Sequence, residues 1–96
     1  MILYNISIIV EDSNHDQLYT WLRKKLQEST YDVQLLKMLE SPHEGTTYCV
    51  QYVAADEQQL ASFQQEIVPM LHLYITANHS EKAFLFESKM QYLILN

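Results

Sequence analysis

Histidine, cysteine and the carboxylates are the side chains best suited to ligate metals or move protons, and this chain holds four His, one Cys and twelve Asp plus Glu. Their spacing argues against a metal centre. His72 and His79 would lie about 10.5 Å apart along a continuous helix at ~1.5 Å per residue, whereas two ligands of one Zn²⁺ at about 2.1 Å each must approach within roughly 4 Å. His15 sits between Asp12 and Asp16 in what reads as an acidic first turn, and two acids with one His there suit a solvated helix start. His43 belongs to a turn. Cys49 becomes a nucleophile only beside a base that lowers its pKa; Lys37, across a strand ladder, is the candidate, set against the simpler reading of a buried thiol. The basic run Arg23-Lys24-Lys25 reads as a solvated helix face, and a chain with one Gly has no glycine-rich phosphate loop. No metal, cofactor or catalytic residue is expected.

These residues must be positioned by six elements. Tyr4, Ile6, Ile8 and Val10 alternate with Asn5 and Ser7, a strand pattern rich in β-branched residues. Ser13-Asn14-His15-Asp16 has the form of a capping signal, and Leu18, Tyr19, Leu22 and Leu26 follow at helical spacing, which predicts a helix over about 14–28. Alternation returns over 33–40 and again over 46–53, with Ser41-Pro42-His43-Glu44-Gly45 as the turn of a hairpin. Asp56 caps a second helix, with Gln59 three residues on and an apolar stripe of Leu60, Phe63, Ile67, Met70, Leu71, Tyr74 and Ile75. Pro69 interrupts that stripe and predicts a kink or two abutting helices. A last strand is expected over 83–95. The order β-α-β-β-α-β is the ferredoxin-like pattern: an α+β domain over residues 1–96, with a four-stranded antiparallel sheet and both helices on one face.

The other face of that sheet decides the functional reading. Pairing Glu40 with Thr46 sets Met38 opposite Tyr48 and Lys37 opposite Cys49. Tyr4, Ile6, Ile8, Leu36, Met38, Tyr48, Val50, Phe84 and Phe86 then face the helices. The open face receives Leu3, Ile9, Leu35, Leu39, Cys49, Val53, Leu85 and Lys89 around a polar set of Asn5, Ser7, Lys37, Gln51 and Glu87, the candidate ligand-binding residues. Such a face measures on the order of 500 Å², at the upper end of what a monomer leaves exposed, and a homodimer across a two-fold axis would cover it.

Composition bounds the partners. A net charge of -6 disfavours nucleic acid and anionic membrane surfaces. The opening apolar run lacks the basic flank and cleavage residues of a signal peptide and is shorter than the roughly 20 residues that span a bilayer. With a lone Cys, a reducing, cytoplasmic setting is expected.

MILYNISIIVEDSNHDQLYTWL, TTYCVQY and the Pro69-containing helix together resemble a bacterial family of small uncharacterised domains with a ferredoxin-like fold of the dimeric α/β-barrel type. That resemblance implies the fold and a homodimer, and it supplies no reaction. Arginines typical of the family after the helix leucine and in the last strand are replaced here by Leu71-His72 and Phe86-Glu87, so an anion-binding role for them does not carry over. Three functions follow as expectations. The first is a homodimeric, non-enzymatic domain that holds a small apolar molecule between its sheets. The second, by analogy of fold, is a cofactor-independent oxygenase or isomerase. The third is a protein-interaction module anchored by Tyr19 and Trp21.

Overall fold

The opening segment is strand β1 (Ile2–Val10), in which Tyr4, Ile6, Ile8 and Val10 are buried and the intervening side chains are half-buried. A computed structural model describes all residues, 1–96. Helix α1 (His15–Glu28) buries Leu18, Leu22 and Leu26, one row at four-residue steps. The expected Ser13 cap does not form: the Ser13 hydroxyl donates to Asn14 Oδ1 at 3.0 Å, and Asn14 takes the cap position without a side-chain bond to the helix. Strands β2 (Val33–Lys37) and β3 (Thr46–Ala54) are joined by a longer loop than a tight hairpin. Helix α2 (Glu57–Asn78) starts as expected, with Gln59 N–H donating to Asp56 Oδ1 at 2.8 Å and Gln59 Oε1 accepting from Ala55 N–H at 2.6 Å. It runs unbroken through Pro69. Both Pro69 and Gln65, whose carbonyl loses its donor, are solvent-exposed, so water can satisfy that oxygen. Strand β4 spans Ala83–Gln91.

The sheet order is β2-β3-β1-β4, antiparallel throughout, with α1 leading from β1 to β2 and α2 from β3 to β4. One core joins both helices to one sheet face. This is the expected ferredoxin-like α+β fold. At the core's centre, Phe63 stacks on Tyr52 (4.4 Å between ring centroids) and meets the edges of Tyr31 and Tyr4. The helices are also linked at one end. Trp21 of α1 stacks on Tyr74 of α2 at 3.7 Å, and buried His79 is bonded to both Asn14 and Tyr74. Burial pushes the His79 imidazole below its usual pKa. Its neutral form accepts from the Asn14 amide and donates to the Tyr74 hydroxyl, each nitrogen in a different role.

The face assignment of both edge strands needs correction. Lys37 pairs with Tyr48 and Leu36 with Cys49, one residue away from the register expected of a Glu40–Thr46 pair. A slip of one exchanges the faces: Val33 and Leu35 pack against the core, and Leu36 points away from it. At the far end of the loop, Gly45 has a φ of +90°, which suits glycine, and a Cβ there would stand 2.5 Å from the Val10 carbonyl oxygen. That close approach fixes Thr46 opposite Val10, and the loop closes through Met38 N–H to the Thr47 carbonyl at 2.9 Å. In β4, Ala83 and Leu85 pair with Val10 and Ile8 on the helix side, which sends Phe84 and Phe86 to the open side and Glu87 and Lys89 to the helix side. Ala83 is placed by its N–H bond to the His79 carbonyl, and Lys89 reaches Glu57 at 3.4 Å. The strand ends at Gln91, short of the expected 95, because Tyr92 N–H bonds the Met1 carbonyl and β1 offers no residue beyond.

One buried polar atom has no partner, the hydroxyl of Tyr4. Leaving such a group unsatisfied costs about 1–3 kcal/mol. Tyr4→Phe keeps the ring against Phe63 and is expected to leave stability unchanged or raise it by about 1 kcal/mol, read from the urea midpoint. A loss above that amount would mean that the hydroxyl is bonded in solution.

Candidate functional site

The sheet face turned from the helices carries Leu3, Asn5, Ser7 and Ile9 from β1, Gln34 and Leu36 from β2, Thr47, Cys49, Gln51 and Val53 from β3, and Phe84, Phe86, Ser88 and Met90 from β4. None of these side chains is charged. The charged strand residues, Lys37, Glu87 and Lys89, all stand on the opposite face. Leu36, Val53, Phe84, Phe86 and Met90, with Met38 beside them, are each between 40% and 58% exposed. This is a larger and drier apolar surface than the sequence pattern suggests, because the correction in β4 adds two phenylalanines and removes two charges.

At the middle of the face, on the inner strands β1 and β3, three polar side chains bond one another. Asn5 Nδ2 donates to Ser7 Oγ at 2.9 Å, and Gln51 Nε2 donates to Asn5 Oδ1 at 3.1 Å. Ser7 Oγ also lies 3.7 Å from Cys49 Sγ. The set is partly satisfied within one chain, so covering it with another apolar surface leaves fewer orphaned groups. Beside it a hollow of about 220 Å³ is bounded by Ser7, Ile9, Met38, Pro42, His43, Thr47 and Phe86, where the β2–β3 loop rises against β4.

Of the five residues assigned to this face from sequence, the fold brings together Asn5, Ser7 and Gln51. Lys37 and Glu87 lie on the helix side. Lys37 therefore does not face Cys49. Its position opposite is taken by Leu36, and no cation stands across the ladder to activate the thiol. The residues missed were Leu36, Phe84, Phe86 and Met90. A usable signal was present in β4, where one parity, Phe84-Phe86-Ser88-Met90, is free of charge and the other carries Glu87 and Lys89.

Lys37 belongs to a second concavity, a groove of about 630 Å³ between α1 and β2. Its helical wall is His15, Tyr19, Arg23 and Gln27, a row at four-residue steps beside the buried leucine row. Tyr48 of β3 forms the inner end. Its ring stacks on Tyr19 at 5.4 Å and its hydroxyl lies 3.0 Å from His15 Nδ1. Burial, then the Asp16 carboxylate, then Tyr19 push the Tyr48 phenol above its ordinary pKa. It stays protonated near neutral pH, and the other ring nitrogen of His15, Nε2, lies 3.6 Å from Asp16 Oδ1. Tyr19 and Trp21, the suggested anchors for a partner protein, are both engaged within the chain, on Tyr48 and Tyr74. No group of three or more His, Cys, Asp or Glu side chains gathers at metal-binding spacing, and no helix is long and apolar enough to cross a membrane.

The element order, the sheet and its two same-sided helices define an α+β domain of the ferredoxin-like type. Residues 1–93 match the family DUF4286, a domain of unknown function, and the chain belongs to that family. No curated protein matches it in sequence. In structure it is similar to a de novo designed protein, Foldit4, over 96% of this chain and 98% of that one, with a TM-score of 0.61 at 8% identity. At that identity the likeness concerns fold alone.

Proposed function

We propose that this domain acts as a homodimer, two copies meeting through the charge-free sheet face about a two-fold axis, with a small apolar molecule as the ligand the closed interface would hold. One observation carries the reading: every charged strand residue lies on the helix side, and six large apolar side chains stand exposed on or beside the open side. Two copies of a chain with a net charge of -6 repel each other at long range, and a charge-free face adds nothing to that repulsion on contact. Two faces on the order of 500 Å² each bury about 1,000 Å² together, the lower bound for a specific interface. An isologous pairing also sets the Asn5-Ser7-Gln51 cluster near its own copy, where spare amide protons and carbonyl oxygens can bond across the axis. The hollow beside Phe86, roofed by a second sheet, is where the apolar ligand fits. The resemblance to dimeric α/β-barrel domains and a lone thiol suited to a reducing cytoplasm support the same picture.

Sedimentation equilibrium at micromolar concentration tests it. The expected mass is twice the 11.3 kDa of the chain; a single 11.3 kDa species across that range would overturn the proposal.

A further inference from the structure

We propose that the groove between α1 and β2 is a binding site for a small organic anion bearing an aromatic ring, of the aryl carboxylate class. Two cations border it from different elements, Arg23 on the helix and Lys37 on the edge strand. Neither is paired with a carboxylate, although acids outnumber bases two to one in this chain. Lys82 and Lys89 have partners in Glu11 and Glu57, while Lys24 and Lys25, like the groove's two cations, have none, so what marks the groove is that two elements bring cations to one concavity. The groove has one acid, Asp16, 3.6 Å from His15, which leaves two cations against one carboxylate. The groove is therefore a locally positive place on an acidic protein, and Arg23 brings a planar fork that matches a carboxylate.

The neutral part of the ligand follows from the rest of the wall. Tyr19 and Tyr48 lie nearly parallel, 20° apart, and Tyr19 is 37% exposed along the groove. Val33 and Leu35 supply an apolar floor. A planar ring can lie against such a surface with its charge toward Arg23 and Lys37. The protonated Tyr48 hydroxyl adds a directional polar contact at the inner end. A volume of about 630 Å³ suits a small molecule. A polyanion fits poorly, because beyond the two cations it would meet the net negative charge of the chain.

The site is tested by titrating ¹⁵N-labelled protein with 4-hydroxybenzoate, and in parallel with benzamidine, which carries the ring with the opposite charge, and with inorganic phosphate, which carries charge without the ring. The expected result is saturable shifts of α1 and β2 amides with a dissociation constant of ~1 mM or tighter, and binding of both controls at least tenfold weaker. Arg23 and Lys37 are exposed, so the Arg23→Gln/Lys37→Gln double variant should keep a dispersed amide spectrum while losing at least tenfold in affinity. Tyr19→Ala should weaken binding as well. The proposal is overturned by the absence of saturable shifts, by equal binding of benzamidine or phosphate, or by unchanged affinity in the folded double variant.

Discussion

Phe86→Glu is expected to leave the chain at 11.3 kDa in sedimentation equilibrium under conditions where the wild type sediments as a dimer. Phe86 is 58% exposed in the single chain and sits on β4 opposite Ser7, so the substitution has little to disturb in the fold. In a covered interface the same carboxylate is desolvated without a partner, a penalty of about 3 kcal/mol or more. A two-fold axis places two such carboxylates in one interface. At about 1.4 kcal/mol per tenfold, the dimer dissociation constant should rise by at least a hundredfold. Glu87→Gln, one residue on and on the helix side, should leave the mass unchanged. A Phe86→Glu dissociation constant within tenfold of the wild type's would place the interface elsewhere.

That choice of residue shows where the sequence pattern is sufficient and where it is not. The inner strands were legible because their alternation is clean: Tyr4, Ile6, Ile8 and Val10 against Asn5 and Ser7, and Tyr48 and Val50 against Cys49 and Gln51, with both rows buried as expected. The edge strands were not. In β2 the pair Leu35-Leu36 offers an apolar residue to either face, and the outcome depends on how the β2–β3 loop closes, which periodicity does not contain. In β4 the larger residues, Phe84 and Phe86, look like core, yet the parity set by Ala83 opposite Val10 turns Ala83 and Leu85 inward instead. Hydrophobic size alone does not decide which face a residue takes, since Phe84 and Phe86 stay 58% exposed while the smaller Ala83 is buried. The same logic explains the site. Asn5, Ser7 and Gln51 come from the clean inner strands and converge. Lys37 and Glu87 come from the edges and do not. The groove row His15, Tyr19, Arg23 and Gln27 was visible as helical spacing, but what it faces depends on where β2 lies.

The largest effect on folding is expected at Phe63. Its side chain is fully buried, and its ring touches three others from two strands and the α1–β2 connection: Tyr52 in a parallel stack, and Tyr4 and Tyr31 edge-on at 6.0 and 5.2 Å. Truncation to Ala removes these contacts and leaves a cavity lined by rigid rings that cannot collapse into it, so the upper part of the usual range applies, about 4–5 kcal/mol. Domains of this size have total stabilities of about 5–15 kcal/mol, which makes the loss a large share, and the melting temperature should fall by on the order of 20 °C. Phe63→Leu, which fills most of the volume without the ring geometry, should lose less than half as much. The two faces of the sheet are coupled here, since Tyr4 and Tyr52 pair across β1 and β3 between the Leu3–Val53 and Asn5–Gln51 pairs that point to the open side. If the native state assembles and the unfolded chain does not, mass action ties the two equilibria together. The urea midpoint of Phe63→Ala should then rise with protein concentration, and that of Phe63→Ala/Phe86→Glu should not. A Phe63→Ala loss below about 2 kcal/mol, the floor for core truncations of this kind, would show that the four-ring cluster is not what anchors α2 to the sheet.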